Sequence, residues 1–259
     1  MPVSGPLTQR HGGATTCLEL DLGDARVIVD AGSGLAELGR SAVKDLKPSL
    51  LLMTHLHWDH VLGFPHFAPL YAPGWPLDIR GVSRDGVGVL DALHGISKPP
   101  LFPVDLRVAA AARVSTENLP TSGTCNFHGA EIAWMPVAHP GGCTAFWFQL
   151  GPYKIIFTGD VELKQTDLEA LRSFAHGADL LICDAQYTPD EYVRYTGWGH
   201  STNLDAAELA LACGAKQLLL THHDPRRSDD EIDAMVAEAQ KVFPNTAAAR
   251  DGLTISGRF

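Results

Sequence analysis

The chain has little of what would staple a secreted protein or seat a membrane protein. Its 259 residues include five cysteines, Cys17, Cys125, Cys143, Cys183 and Cys213, odd in number, scattered and without a C-x-x-C pair. That excludes a disulfide framework and points to a reducing compartment. No apolar run approaches the roughly 20 residues that span a bilayer. The opening stretch "MPVSGPLTQRHGG" has no apolar core of the kind a signal peptide needs. The expectation is a soluble cytoplasmic protein with no membrane partner. Positive charge is scarce too: 20 Lys and Arg stand against 30 Asp and Glu, a net charge of −10, with no basic cluster. Broad electrostatic binding to nucleic acid is not expected of such a surface. A small anionic substrate remains compatible, because a bound metal supplies positive charge locally.

What is present is a rhythm of short apolar runs and helical patterns. With 45% hydrophobic residues, a chain of this length can bury a sizeable core. "TTCLELDLG" and "ARVIVDAG" read as strands joined by a turn around Gly23 and Asp24. "SLLLMTH" reads as a buried strand, the Pro- and aromatic-rich stretch from Phe64 to Pro76 as an ordered loop, "LDIRGV" as a strand and "DGVGVLDALHGI" as a short helix. Further on, "EIAWMPVAH", "CTAFWFQLG", "YKIIFTGD", "DLLICDAQ" and "KQLLLTHH" read as strands. "TDLEALRSFAHG" is a helix with Thr166 and Glu169 as a capping box and Gly177 beyond its end. "NLDAAELALACGA" and "SDDEIDAMVAEAQKVF" are helices, the second capped by Ser228 and Glu231, and "GLTISG" reads as a closing strand. No linker, repeat or low-complexity segment divides the chain. One layered α/β domain over 1–259 is the expectation.

The stretch "THLHWDH" carries chemistry. It places His55, His57, Asp59 and His60 directly after a buried strand. Residues two apart in extended chain project to one side, and imidazoles beside a carboxylate suit zinc, iron or manganese. Packing has no use for so many titratable groups at one strand end. His139, Asp160, and the pair His222 and His223 end other apolar runs. Strand ends are where an α/β sheet gathers its site loops. Together these residues are enough for two metals. Trp58, Phe64, His66, Phe67, Tyr71 and Trp75 surround the first motif, either as a pocket wall or as packing of the loop.

Asp30 in "IVDAG", "THLHWDH", His139, Asp160 in "FTGD" and His222 in "LTHHDP" resemble, in order, the motifs of the metallo-β-lactamase-fold hydrolases. The resemblance implies a four-layered αβ/βα sandwich with a dinuclear site, two divalent ions, zinc first, with Mn²⁺ and Fe²⁺ as alternatives. It implies that His55, His57 and His139 bind one metal, that Asp59, His60 and His222 bind the other, and that Asp160 bridges them. Asp30 would be a structural acid beneath them, and His223 either an outer residue of the site or plain packing. "GWGHSTNLDAAELALACGAKQLLLTHHDP", "RHGGATTCLEL" and "HWDHVLGFPHFAPLY" resemble the phosphodiesterase branch that includes ribonuclease Z. His200 would then donate a proton or contact phosphate.

Two departures stand out. Ribonuclease Z has a His-Glu pair where this chain has Cys183 and Asp184, and no Gly/Pro-rich insertion suggests a tRNA-binding arm. With the acidic charge, these points argue against tRNA and for a small-molecule phosphodiester substrate, linear or cyclic. Asp184 would orient His200. Asp59, His200 and Asp184 are therefore the catalytic candidates, and a metal-bridging hydroxide the expected nucleophile. A homodimer is expected from relatives. The same hydroxide attacking a β-lactam, lactone or thioester is the alternative, and a non-catalytic metal-bound sensor is a second. Di-iron redox chemistry ranks last, because Trp58 stands where an acidic ligand would be.

Overall fold

The computed structural model describes residues 1–256. The chain gathers into two compact units, Met1–Pro2 with Ala14–Thr121, and Val3–Gly13 with Ser122–Phe259.

The first unit holds a five-stranded sheet in chain order: β1 (Leu18–Asp21), β2 (Arg26–Val29), β3 (Ser49–Met53), β4 (Pro76–Val82) and β5 (Arg113–Leu119). Only β1–β2 is antiparallel. Between these strands lie α1 (Ser33–Ala42), α2 (Trp58–Val61), α3 (Val89–Ile96) and α4 (Leu106–Ala109). Every residue of β2 and β3 is buried. Such doubly covered parallel strands read as unbroken apolar runs rather than as alternation. Leu51, Met53 and Ile79 form a core with Leu35 of α1, Leu93 of α3, and Phe64, Phe67 and Trp75. These three aromatics are packing residues, while Trp58 and Tyr71 are exposed.

Three of these elements, α1, α4 and β5, were not foreseen from sequence. Helix α1 has no side-chain cap, and glycines interrupt it. Gly39 is required there, because a Cβ would sit 2.9 Å from the Ala68 backbone nitrogen. Strand β5 is almost wholly exposed and polar, so it lacks the apolar signal of a strand.

The second unit holds a seven-stranded sheet. Strands β6 (Gly123–Phe127), β7 (Ala130–Val137), β8 (Cys143–Leu150) and β9 (Tyr153–Phe157) form an antiparallel meander. Strands β10 (Leu180–Asp184), β11 (Gln217–Thr221) and β12 (Thr246–Ala248) continue it in parallel. The crossovers are α5 (Leu168–Ala175), the pair α6 (Pro189–Tyr195) and α7 (Asn203–Cys213), and α8 (Asp229–Gln240). Leu181, Cys183, Leu218 and Leu220 pack with Leu171, Ala206, Ala210 and Ala239 of these helices. The segment Val3–Gly13 is tied to α8: Asp229 accepts from the amides of Arg10 (2.8 Å) and His11 (3.0 Å).

The α/β class stands, with two sheets and their helices. Two local expectations change. Helix α5 is capped by Asp167, whose carboxylate accepts from Ala170 N, not by Thr166. The Thr166 hydroxyl is engaged elsewhere, accepting from Ala138 N at 3.0 Å and donating to Glu162 O at 3.1 Å. Residues 252–256 of "GLTISG" form no strand, and Gly257 lies outside the described residues. Helix α6 went unforeseen although Thr188 and Glu191 form a complete capping box, with Pro189 at the first helical position. No helix among the described residues is long and apolar enough to cross a membrane.

Candidate functional site

In the first unit, the chain leaves β3 as Thr54–His55–Leu56–His57 and enters α2, with His57 at its N-cap. Extended backbone followed at once by a helical turn folds three imidazoles together. The His55 ring lies 4.5 Å from His57 and 4.2 Å from His60, centroid to centroid. Asp59 sits on the same turn, its carboxylate 4.0 Å from the N-terminal amine. What fixes this turn is Asp30, at the end of β2. Its φ is +63°, a left-handed conformation that Asp tolerates better than most residues. Its buried carboxylate accepts from Thr54 N (2.8 Å), Thr54 Oγ1 (2.8 Å) and His60 Nδ1 (2.8 Å). The backbone adds Ala31 N donating to His60 O at 2.8 Å.

In the second unit, β7 and β9 run in the same direction as β10 and β11. Their C-terminal ends therefore share one sheet edge, which receives His139, Asp160, Asp184 and His222. The turn between α6 and α7 brings His200 to the same place. The His222 Nε2 lies 3.2 Å and the His139 Nε2 3.9 Å from Asp160 Oδ2. His200 Nδ1 donates to Asp184 Oδ2 at 2.7 Å. Asp184 is fully buried and also accepts from Gln186 N at 3.0 Å. The His200 ring stacks on His222 at 4.9 Å and 13°. His139, Asp160 and His200 offer ligand atoms within 4.8 Å of one another, and so do Asp184, His200 and His222.

A residue without a role in the sequence reading holds this corner in place. Glu162 is buried, and it accepts from Tyr192 Oη (2.6 Å), Gly197 N (2.8 Å) and Gly199 N (2.9 Å). Burial by itself would raise this carboxyl, but the three donors outweigh that and hold it below the usual range. Gly199 in turn accepts from His139 Nδ1 at 2.8 Å. A Cβ on Gly199, whose φ is +89°, would fall on the His139 ring. The only trace in the sequence is an acid between Val161 and Leu163, two apolar residues that both fold inward. His223 is packed near His11, 6.4 Å between rings, and burial pushes its imidazole down to about 3. Cys183 belongs to the core, and burial raises its thiol.

The donors fit divalent metal. His60 and His139 each commit Nδ1 to an acceptor, Asp30 and the Gly199 carbonyl. This fixes the tautomer and leaves Nε2 basic, as outer partners do for metal-binding histidines. His222 Nδ1 lies 3.1 Å from the Gln186 amide, whose carbonyl oxygen serves the same purpose with the amide turned over.

An α/β chain with imidazoles and carboxylates at its strand ends has the build of a metal-dependent hydrolase. Residues 25–223 match the family described as Beta-lactamase superfamily domain, and the chain belongs to that family. Ribonuclease Z from Ignicoccus hospitalis is 26% identical over 86% of this chain and 86% of its own length. Ribonuclease Z from Brevibacillus brevis is 42% identical over 40% of this chain, and the match spans 32% of that relative's length. Among solved structures, the metallo-beta-lactamase fold protein YhfI from Bacillus subtilis has a TM-score of 0.74 at 22% identity, covering 94% of this chain and 92% of its own. Human tRNase Z, short form, has a TM-score of 0.69 at 19% identity, covering 100% and 98%. The two structures bear out the fold, and the curated names fit the ribonuclease Z-like branch.

The same names overturn the expectation against tRNA, since relatives aligned over most of this chain are called Ribonuclease Z. The reason is physical. Net charge sums a whole surface, whereas the field at a reacting phosphate is set locally, foremost by bound metal. The departure at Cys183 is a core substitution, not a change in the reacting groups.

Proposed function

We propose that this protein is a metal-dependent phosphodiesterase, and that 1–259 works as one hydrolase domain. His55, His57, Asp59, His60, His139, Asp160 and His222 are its metal ligands, for two divalent ions, zinc foremost. Such ions would supply Lewis acidity toward phosphate and a water acidified to about pKa 7, hence a nucleophile at neutral pH. The observation that carries the phosphodiester reading is the His200–Asp184 pair, 2.7 Å apart, beside Asp160 and His222. Asp184 holds Nδ1–H and orients the ring. His200 Nε2 is then the atom that gives a proton to the departing alkoxide. Asp30 and Glu162 do no chemistry; they fix the backbone from which ligands project. The bond class is the P–O bond of a diester, in RNA, as the relatives' names suggest, or in a small or cyclic diester. A cytoplasmic setting belongs to the same proposal, on the scattered cysteines.

The test is hydrolysis of bis(p-nitrophenyl) phosphate and of a precursor tRNA by metal-reconstituted protein, with chelated protein as control. Metal-dependent turnover of either supports the reading. No turnover of either, with bound metal confirmed by elemental analysis, refutes it and moves lactams, lactones and thioesters forward.

A further inference from the structure

Trp198 is 62% exposed in the turn that carries His200. A single exposed apolar side chain needs no explanation. This one, however, ends a continuous row of rings. Trp198 meets Tyr195 edge-on at 5.3 Å, Tyr195 stacks on Tyr187 at 4.8 Å and 16°, and Tyr187 meets His200 edge-on at 5.9 Å. The inner end is anchored, since Tyr187 is only 3% exposed. Its base is fixed as well, because the amides on either side of Trp198, at Gly197 and Gly199, donate to buried Glu162. Arg226 lies over the Tyr195 ring at 5.9 Å and is itself held flat by Asp224. The indole is therefore presented rigidly, with a guanidinium near the row and the proton donor at its other end.

We propose that the Trp198–Tyr195 row is a stacking platform for a nucleobase of a single-stranded nucleic acid whose phosphodiester lies at His200. Rigid aromatic faces beside arginine are how proteins hold unpaired bases, because every base offers a π face. Charge alone would not select this ligand, since Arg226 is paired with Asp224. The aromatic surface does. The inference rests on the phosphodiester reading and adds the base to it.

The experiment measures binding and turnover separately. Full-length, metal-loaded protein is titrated with a fluorescein-labelled RNA hexamer and with a hexamer of the same backbone lacking bases. Chelated protein is titrated in parallel, so that binding is read without cleavage. The expected result is that wild type binds the base-bearing hexamer about tenfold more tightly, the size of one stacking contact. Trp198→Ala loses that difference, Trp198→Phe recovers most of it, and KM for the cleaved oligonucleotide rises while kcat holds within about twofold. Equal binding of the two hexamers by wild type overturns the platform, as does Trp198→Ala binding like wild type or a failure to bind either hexamer. Base-dependent binding without cleavage of the hexamer, together with no turnover of bis(p-nitrophenyl) phosphate or precursor tRNA, would sustain the platform and refute the phosphodiesterase. Cleavage without base dependence would do the reverse.

Discussion

Replacing Glu162 is the sharpest perturbation available to this fold. The carboxylate takes three donors from two segments, Tyr192 on α6 and the Gly197 and Gly199 amides of the following turn. Hydrogen bonds to a charged group are worth about 1.5–3 kcal/mol each, which sets an upper bound of roughly 5–9 kcal/mol for the three. Gly197 is exposed, so water replaces that bond, and the hydroxyl can turn toward another acceptor. The expected cost of Glu162→Ala is therefore about 2–4 kcal/mol, a fall in Tm of roughly 5–12 °C for a chain of this size. Glu162→Gln should cost less, about 1–2 kcal/mol, because its amide nitrogen would face a backbone N–H while its oxygen still accepts. The loss should also reach His139, one of the proposed metal ligands. When the turn loosens, the Gly199 carbonyl no longer fixes His139, and zinc affinity should fall about tenfold. Calorimetry gives Tm, hydrogen exchange over 195–201 locates the change, and competition with a zinc indicator gives affinity. An alanine variant melting within about 2 °C of wild type, with unchanged exchange and affinity, would refute the reasoning.

Three other outcomes follow from the same geometry. His200→Ala should keep its metal, by elemental analysis, and lose 10²- to 10⁴-fold in diester turnover, the range for a general acid; an unchanged rate removes His200 from the chemistry. Asp30→Ala should cost about 3–5 kcal/mol in urea denaturation, since buried Thr54 and His60 lose their acceptor and alanine is poorly suited to φ +63°; a loss under about 1 kcal/mol contradicts that role. Asp179 gives the acid limb. Burial would raise its carboxyl, but Lys216 at 2.6 Å and the Lys154 amide at 2.7 Å outweigh burial and lower it. Its unfolded value is about 3.9, so its stabilisation is complete above that pH and fades as pH falls through the lower folded value. The advantage of wild type over Asp179→Asn in urea should thus shrink below about pH 4, and an advantage that grew with acid would reverse the sign of this argument.

How far the sequence could be read depended on whether an element's reason to exist was local. The buried strands β3, β10 and β11 were legible because parallel strands covered on both faces must be apolar throughout. The candidate ligands stood out in the sequence because "THLHWDH" packs its donors into one turn, and because His139, Asp160 and His222 each end an apolar run. Helix α8 announced itself through Ser228 and Glu231, which do cap it. What escaped was set by tertiary contact. Helix α1 contains Gly39 because another backbone passes there, strand β5 is an exposed edge, and Thr166 yields its capping role to Asp167 because Ala138 claims its hydroxyl. Glu162 escaped for the same reason, since its partners lie 30 to 37 residues away in sequence. Helix α6 is the exception, since its Thr-Pro-Asp-Glu start is fully local.

The parallel run from β9 to β12 also imposes an order on assembly. The meander β6 to β9 pairs neighbours in the chain and can form early. Each later strand must wait for a helical crossover, because loop closure precedes the contacts that reward it. Asp160, Asp184 and His222 are thus strangers in the nascent polypeptide and meet only when the last of their crossovers docks. A second unit with only its meander formed brings His139 and Asp160 together, 3.9 Å apart, but lacks His222, so its proposed donor set is complete only once β11 has joined the sheet.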